Sequence, residues 1–225
     1  MNSFLHRVAK AYFSEYKESI TDFTFVFPNR RAGLFFQRYI SRLSDKPLFS
    51  PGILTINECF SLASPWQAAD RLSNLFRLYS IYKKQSGSTE SFDSFVFWGE
   101  MLLSDFDEVD KYRIDARQLF TNITDLHQID KLFDIFTEKQ VEAIRQFWKN
   151  FVPVREGKSQ EEFRATWKIL LSVYDEFRAS LMAENTATEG MVCRDVADRL
   201  HAGEEIGNYS GKQFVFVGFN ALTPC

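Results

Sequence analysis

The sequence predicts an α/β protein that is predominantly helical, in which a small parallel sheet formed by both ends of the chain carries a large all-helical insertion. Three observations predict it. Short aromatic or β-branched runs lie near both ends, at Phe23–Phe27, Ile53–Ile56 and Phe214–Val217. Segments of helical period alternate with the first two runs. From about Asn57 to His201 the apolar residues recur at helical spacing almost throughout. Alternating helix and strand is the pattern of a parallel α/β sheet, and the simplest connection returns the last strand beside the first ones. The boundaries expected are 1–57 with 205–225 for the base and 58–204 for the helical insertion.

Each element has a local cause. Phe4, Leu5, Val8, Ala9, Tyr12, Phe13 and Tyr16 follow the i, i+3, i+4 spacing of an amphipathic helix, which Asn2 or Ser3 can cap. Phe23–Phe27 fits a strand buried on both faces, and Pro28 stops it. Between Arg30 and Leu43 the helical period returns, with Leu34, Phe35, Tyr39 and Leu43 as the apolar set and Arg31, Arg38 and Arg42 as the polar one. Pro51-Gly52 introduces the second strand, Ile53–Ile56, and Asn57 is placed to cap the next helix. The middle holds helices marked by Leu72–Tyr82, Phe92–Leu103, Val141–Phe151 and Phe163–Leu181, with Gly87 and Pro153–Ser159 as connections. Their aromatic stripes read as bundle core. A helix around Met191–His201 and a polar, glycine-containing turn precede the last strand, Phe214–Val217. Only eight residues follow, so a three-stranded sheet would be incomplete and the chain is expected to be a fragment of a longer protein.

Composition narrows the function classes. The 225 residues are 45% hydrophobic and 25% charged with 24 Phe, ample for a core and unlike disordered or collagen-like chains. No run of about 18 apolar residues is present, so no membrane helix is expected and a cytoplasmic protein is the default. Cys59, Cys193 and Cys225 are scattered, odd in number and form no C-x-x-C pair, which suggests neither a disulfide framework nor a zinc site. The net charge of -3 is unevenly spread: residues 1–50 carry eight Lys or Arg against four Asp or Glu, and residues 89–135 carry four against eleven. A basic head can meet phosphates while an acidic middle repels them or selects a basic partner.

Catalytic signatures are weak. Gly157-Lys158-Ser159 resembles the tail of a phosphate loop, but the glycine required five positions earlier is Val152, Pro153 intervenes and a helix precedes it. A surface loop capping the next helix is the better reading. Asp105, Asp107, Glu108 and Asp110 form an acidic cluster in which Asp107 and Asp110 share a helical face, as a divalent ion would want, but solvated acidic faces are commonplace. His6, His127 and His201 lie far apart, and no serine sits in a G-x-S-x-G turn. No enzyme motif, cofactor site or metal site follows from the residues.

Phe27-Pro28-Asn29-Arg30-Arg31-Ala32-Gly33 is more informative. It sets an amide and two guanidinium groups on the turn from a strand into a helix, where free N–H groups and the helix dipole favour an anion and where ligands of open α/β sheets approach. Ordinary capping with solvated arginines satisfies the same residues.

The stretch Phe25-Val-Phe-Pro-Asn-Arg-Arg-Ala-Gly-Leu-Phe-Phe-Gln-Arg-Tyr-Ile40 resembles the strand–turn–helix near the start of AddB-type subunits of bacterial helicase-nuclease complexes, related to UvrD-like superfamily 1 helicases. Pro51-Gly-Ile-Leu-Thr-Ile-Asn-Glu-Cys-Phe60 is similar to that family's next strand. Phe214-Val-Phe-Val-Gly-Phe-Asn-Ala-Leu-Thr-Pro224 resembles the strand that in active helicases carries the Mg-binding Asp-Glu pair, and Thr188–Val196 resembles the helix before it. The likeness covers both ends and only loosely the helical middle.

The resemblance implies a degenerate P-loop helicase-like domain. Val217-Gly218 stands where an active helicase has Asp-Glu, leaving Mg2+ without a protein anchor, and Met1-Asn2-Ser3 leaves no room for a strand and phosphate loop before the first helix. It also implies a part in DNA double-strand-break repair and recombination, binding or scanning single-stranded or broken-end DNA beside an AddA-like motor subunit. The parent subunit would be an ATP-dependent helicase-nuclease component with a C-terminal PD-(D/E)XK exonuclease domain, while this portion would be inactive and hold no cofactor. Asn29, Arg30 and Arg31 would meet phosphates, with Thr55 and Asn57 nearby. Two other classes stay open: a protein-interaction module that uses the helical block and binds no nucleic acid, and a metal-dependent nuclease built on Asp105, Asp107 and Asp110.

Overall fold

A computed structural model describes residues 3–122, 159–206, 209, 211–220 and 223–225. In chain order the elements are α1 (Phe4–Tyr16), a 3-10 turn (Lys17–Asp22), β1 (Phe23–Phe27), α2 (Arg30–Leu43), β2 (Gly52–Thr55), α3 (Ile56–Ala63), β3 (Gln67–Ala68), α4 (Arg71–Ser86), α5 (Phe92–Lys111), α6 (Ala116–Asn122), α7 (Ser159–Ala183), β4 (Thr186–Ala187), α8 (Glu189–His201) and β5 (Gln213–Phe216). The helix expected over Val141–Phe151, His127 and the Gly157-Lys158 pair lie outside the described residues. The protein is predominantly helical with a small parallel sheet, and it divides into two compact units, Met1–Gln67 with Val192–Cys225, and Ala68–Met191. Among the described residues no helix is long and apolar enough to cross a membrane.

In the first unit the strand order is β2-β1-β5, all parallel, with Phe25 opposite both Ile53 and Val215. The last strand therefore returns beside the first, and the Val217 N–H extends the ladder by donating to the Val26 carbonyl at 2.9 Å. β1 is central, which accounts for its run of apolar residues: Phe23, Phe25 and Phe27 face one side at the period of two, and Val26 is buried on the other. Phe36 of α2 closes on Phe25 and Phe27 with ring centroids 4.5 and 5.3 Å apart, and Tyr12 of α1 meets Phe25 edge-on. Ala9, Ile20, Ile40 and Val217 complete this core.

Three expectations need correction here. The buried face of α2 is Gly33, Phe36 and Ile40, whereas Leu34 and Phe35 are exposed. Packing Phe36 between Phe25 and Phe27 fixes the roll of the helix and turns Phe35 outward. β2 ends at Thr55, and Ile56 opens α3 instead of closing the strand. Asn57 caps nothing, because Thr55 holds that position through a capping box with Glu58, a reciprocal pair of bonds that Asn57, inside the helix, cannot make. Ser3, the second of the two residues offered, does cap α1, its hydroxyl accepting from the His6 N–H.

The second unit is a helical assembly. Leu78 of α4, Phe95 and Leu102 of α5, and Val173, Phe177 and Leu181 of α7 are fully or almost fully buried. Tyr82 stacks on Phe95 at 5.3 Å, and Phe106 meets Tyr174 edge-on at 5.1 Å. Of the stripes read from the sequence, Leu75, Leu78, Tyr82, Phe95, Leu102, Tyr174 and Phe177 are buried here, whereas Leu72 and Phe76 are exposed.

Candidate functional site

The parallel register pairs Phe27 with Thr55, so β1 and β2 end at the same level and the turns that follow them lie side by side. Asn29 leaves β1 in extended conformation and caps α2, its Oδ1 accepting the Ala32 N–H at 3.0 Å. Gly33, one turn further on, faces β2: a Cβ there would stand 2.7 Å from Ile53 Cγ2, so the missing side chain is what lets α2 settle against the strand. Ser50 is tied to α2 by the Gln37 Nε2 donor at 3.1 Å. Between these elements lies a groove of about 370 Å³ whose wall includes Asn29, Arg30, Leu34, Gln37, Thr55 and Glu58.

Glu58 organises one side of it. Its Oε2 accepts the Thr55 N–H at 2.8 Å and the Thr55 hydroxyl at 3.0 Å, while Oε1 accepts Arg30 Nη2 at 2.7 Å. The Thr55 N–H, and after it the Arg30 guanidinium, hold the Glu58 carboxyl below the usual carboxylate range, against a smaller opposing effect of burial. Arg30 remains 79% exposed in spite of this pair, so the contact is an ordinary surface ion pair. Arg31 is exposed and makes no hydrogen bond or ion pair with the described residues, and Asn57 is exposed.

Of the five residues singled out in the sequence, Asn29, Arg30 and Thr55 thus come together on one groove. Arg31 and Asn57 stand outside its wall. Sequence reasoning missed Glu58, although Thr55-x-x-Glu58 is the S/T-x-x-E signature of a capping box. It also missed Gln37 and Ser50, for which no local signal exists.

The acidic cluster of α5 is put to other uses. Asp110 is 1% exposed, and its Oδ1 accepts the Tyr174 hydroxyl at 2.8 Å and lies 3.1 Å from Arg178 Nη1. Asp107 accepts the Gly190 N–H at the start of α8 and pairs with Lys111, which also reaches Glu189. Asp105 is exposed. No group of three His, Cys, Asp or Glu side chains able to hold a metal ion occurs among the described residues. At the end of β5, Val217 is buried in the apolar cluster and Gly218 adopts a φ of 80°, which suits glycine. Comparison with family models, curated proteins and solved structures gives no match to this chain.

Proposed function

We propose that this chain is the non-catalytic, helicase-like N-terminal portion of an AddB-like, cytoplasmic DNA-repair subunit, and that it helps to bind or scan single-stranded or broken-end DNA. The observation that carries the reading is the groove at the shared carboxyl end of β1 and β2, with Arg30 on its wall and Arg31 on the first turn of the same helix. Phosphates are attracted there by guanidinium charge and by the positive end of α2. ATP hydrolysis belongs to an AddA-like motor partner, and strand cleavage to a PD-(D/E)XK domain of the parent subunit. This portion takes no cofactor.

The test is titration of fluorescent oligothymidylate at several salt concentrations. Affinity falls steeply with salt, and replacing Arg30 and Arg31 together by Ala lowers the affinity and flattens the salt slope by about 1.4, roughly 0.7 for each phosphate of a single strand that is no longer neutralised. An unchanged slope in the double variant rejects the site. The interaction-module reading has one observation of its own, Phe97 of α5 standing 74% exposed in the acidic stretch. It requires a captured protein partner that Phe97→Ser abolishes, together with no DNA affinity.

A further inference from the structure

Helix α2 presents an unusual outer face. Its buried residues, Gly33, Phe36 and Ile40, settle which side meets the core. On the opposite side, Arg31, Phe35, Arg38 and Arg42 follow the i, i+4, i+7, i+11 spacing of a single helical stripe, and all four are exposed. Phe35 stands 44% exposed with no ring partner among the described residues, so the fold gives no account of an aromatic there. Arg31, Arg38 and Arg42 make no side-chain ion pair with the described residues. Eleven positions at about 1.5 Å each give the stripe a length of roughly 16 Å, enough to follow a backbone past more than one phosphate. Cations interleaved with an exposed aromatic are the combination by which proteins hold single strands without reading sequence: charge tracks the phosphates, and a ring receives an unstacked base.

We propose that a single-stranded polynucleotide runs along the outer face of α2, with Arg31, Arg38 and Arg42 on successive phosphates and one base stacked on Phe35. The inference rests on the polynucleotide reading above and extends it from the mouth of the groove to the length of the helix. Charge complementarity selects the occupant. A basic or neutral protein segment gains nothing from three unpaired arginines, and an acidic one leaves the ring unexplained.

The experiment compares oligothymidylate with an abasic oligonucleotide of equal length, using the full chain and its variants. Arg38→Ala with Arg42→Ala is expected to weaken both probes and to flatten the salt slope by about 1.4. Phe35→Ala is expected to weaken oligothymidylate about five-fold or more and to leave the abasic probe unchanged, because stacking needs the base. Phe35→Leu keeps apolar area without the ring and must behave like Phe35→Ala. Phe35 faces away from the core, so these variants fold, which a melting curve verifies. If Arg38 and Arg42 prove silent while Arg30→Ala with Arg31→Ala still cuts binding, the track along α2 is overturned and the groove survives. Equal weakening of both probes in Phe35→Ala overturns the stacking role. No binding by the unaltered chain overturns track and groove together.

Discussion

In the helical unit the charges at the core are tied to one another, whereas in the α/β unit the arginines of α2 are left to solvent. Asp110 is buried under Tyr174 and Arg178, Asp107 and Glu189 share Lys111, and Arg77 pairs with Glu184 at 2.5 Å. These groups hold α5, α7 and the start of α8 in place, and little of their charge is left for a ligand. On α2, only Arg30 among Arg30, Arg31, Arg38 and Arg42 has an ion-pair partner among the described residues. An acidic cluster that looks like a metal site can therefore be structural, and a basic helix that looks like a solvated face can be the one with charge to spare. Removing a charge from the first unit should change what the protein binds. Removing one from the second should change whether it folds.

The largest effect expected is that of Asp110→Ala. It removes the carboxylate that faces Arg178 Nη1 and accepts the Tyr174 hydroxyl, and since Arg178 is partly solvated the cost is discounted from the fully buried case to about 3 kcal/mol. A urea titration reads this directly, and a destabilisation no larger than that of a surface variant would erase the contrast between the two units. Next comes Gly190→Ala, whose Cβ would collide with the Asp107 backbone carbonyl. Either α5 or the start of α8 must then shift, at about 2 kcal/mol by the same measurement.

The smallest effect should fall on binding alone. Glu58→Gln keeps the capping-box geometry, since Gln serves at that position as Glu does, but releases Arg30 from its ion pair. Oligothymidylate affinity is expected to rise about two- to five-fold, the range an exposed ion pair contributes, with the melting temperature unchanged. The sign with pH is fixed by the lowered pKa of Glu58. Its charged form supports the start of α3 fully above the ordinary carboxylate range and loses that role only as pH falls through the lowered value. The protection factor of the Thr55 amide, which donates to the Glu58 carboxylate, should therefore stay high around neutral pH and fall only in acid.

Much of this arrangement is legible in the residues taken alone. Phe23–Phe27 and Arg30–Leu43 are bounded by Asp22, Pro28 and Asn29, whose turn and capping chemistry acts within a few residues, and the observed elements carry the same bounds. Gly52–Thr55 is the counter-case. Its alternation is too short to fix the end of the strand, and the Thr55–Glu58 box, itself local, decides it. The roll of α2 is not readable from the chain: Leu34, Phe35 and Phe36 are consecutive and equally apolar, and only the rings of Phe25 and Phe27 select Phe36.

Caps, turns and periodicity act over a few residues, and so the linear chain already dictates the long helices and the three strands of the parallel sheet and their order, though not the short α6 or the two-residue β3 and β4. Which charges are occupied is dictated by packing instead. Arg30 meets Glu58 across 28 positions, Asp110 meets Tyr174 across 64 and Asp107 meets Gly190 across 83. A charge is neutralised by whatever the packing of distant elements brings within about 3–4 Å of it, and no spacing along the chain encodes that distance.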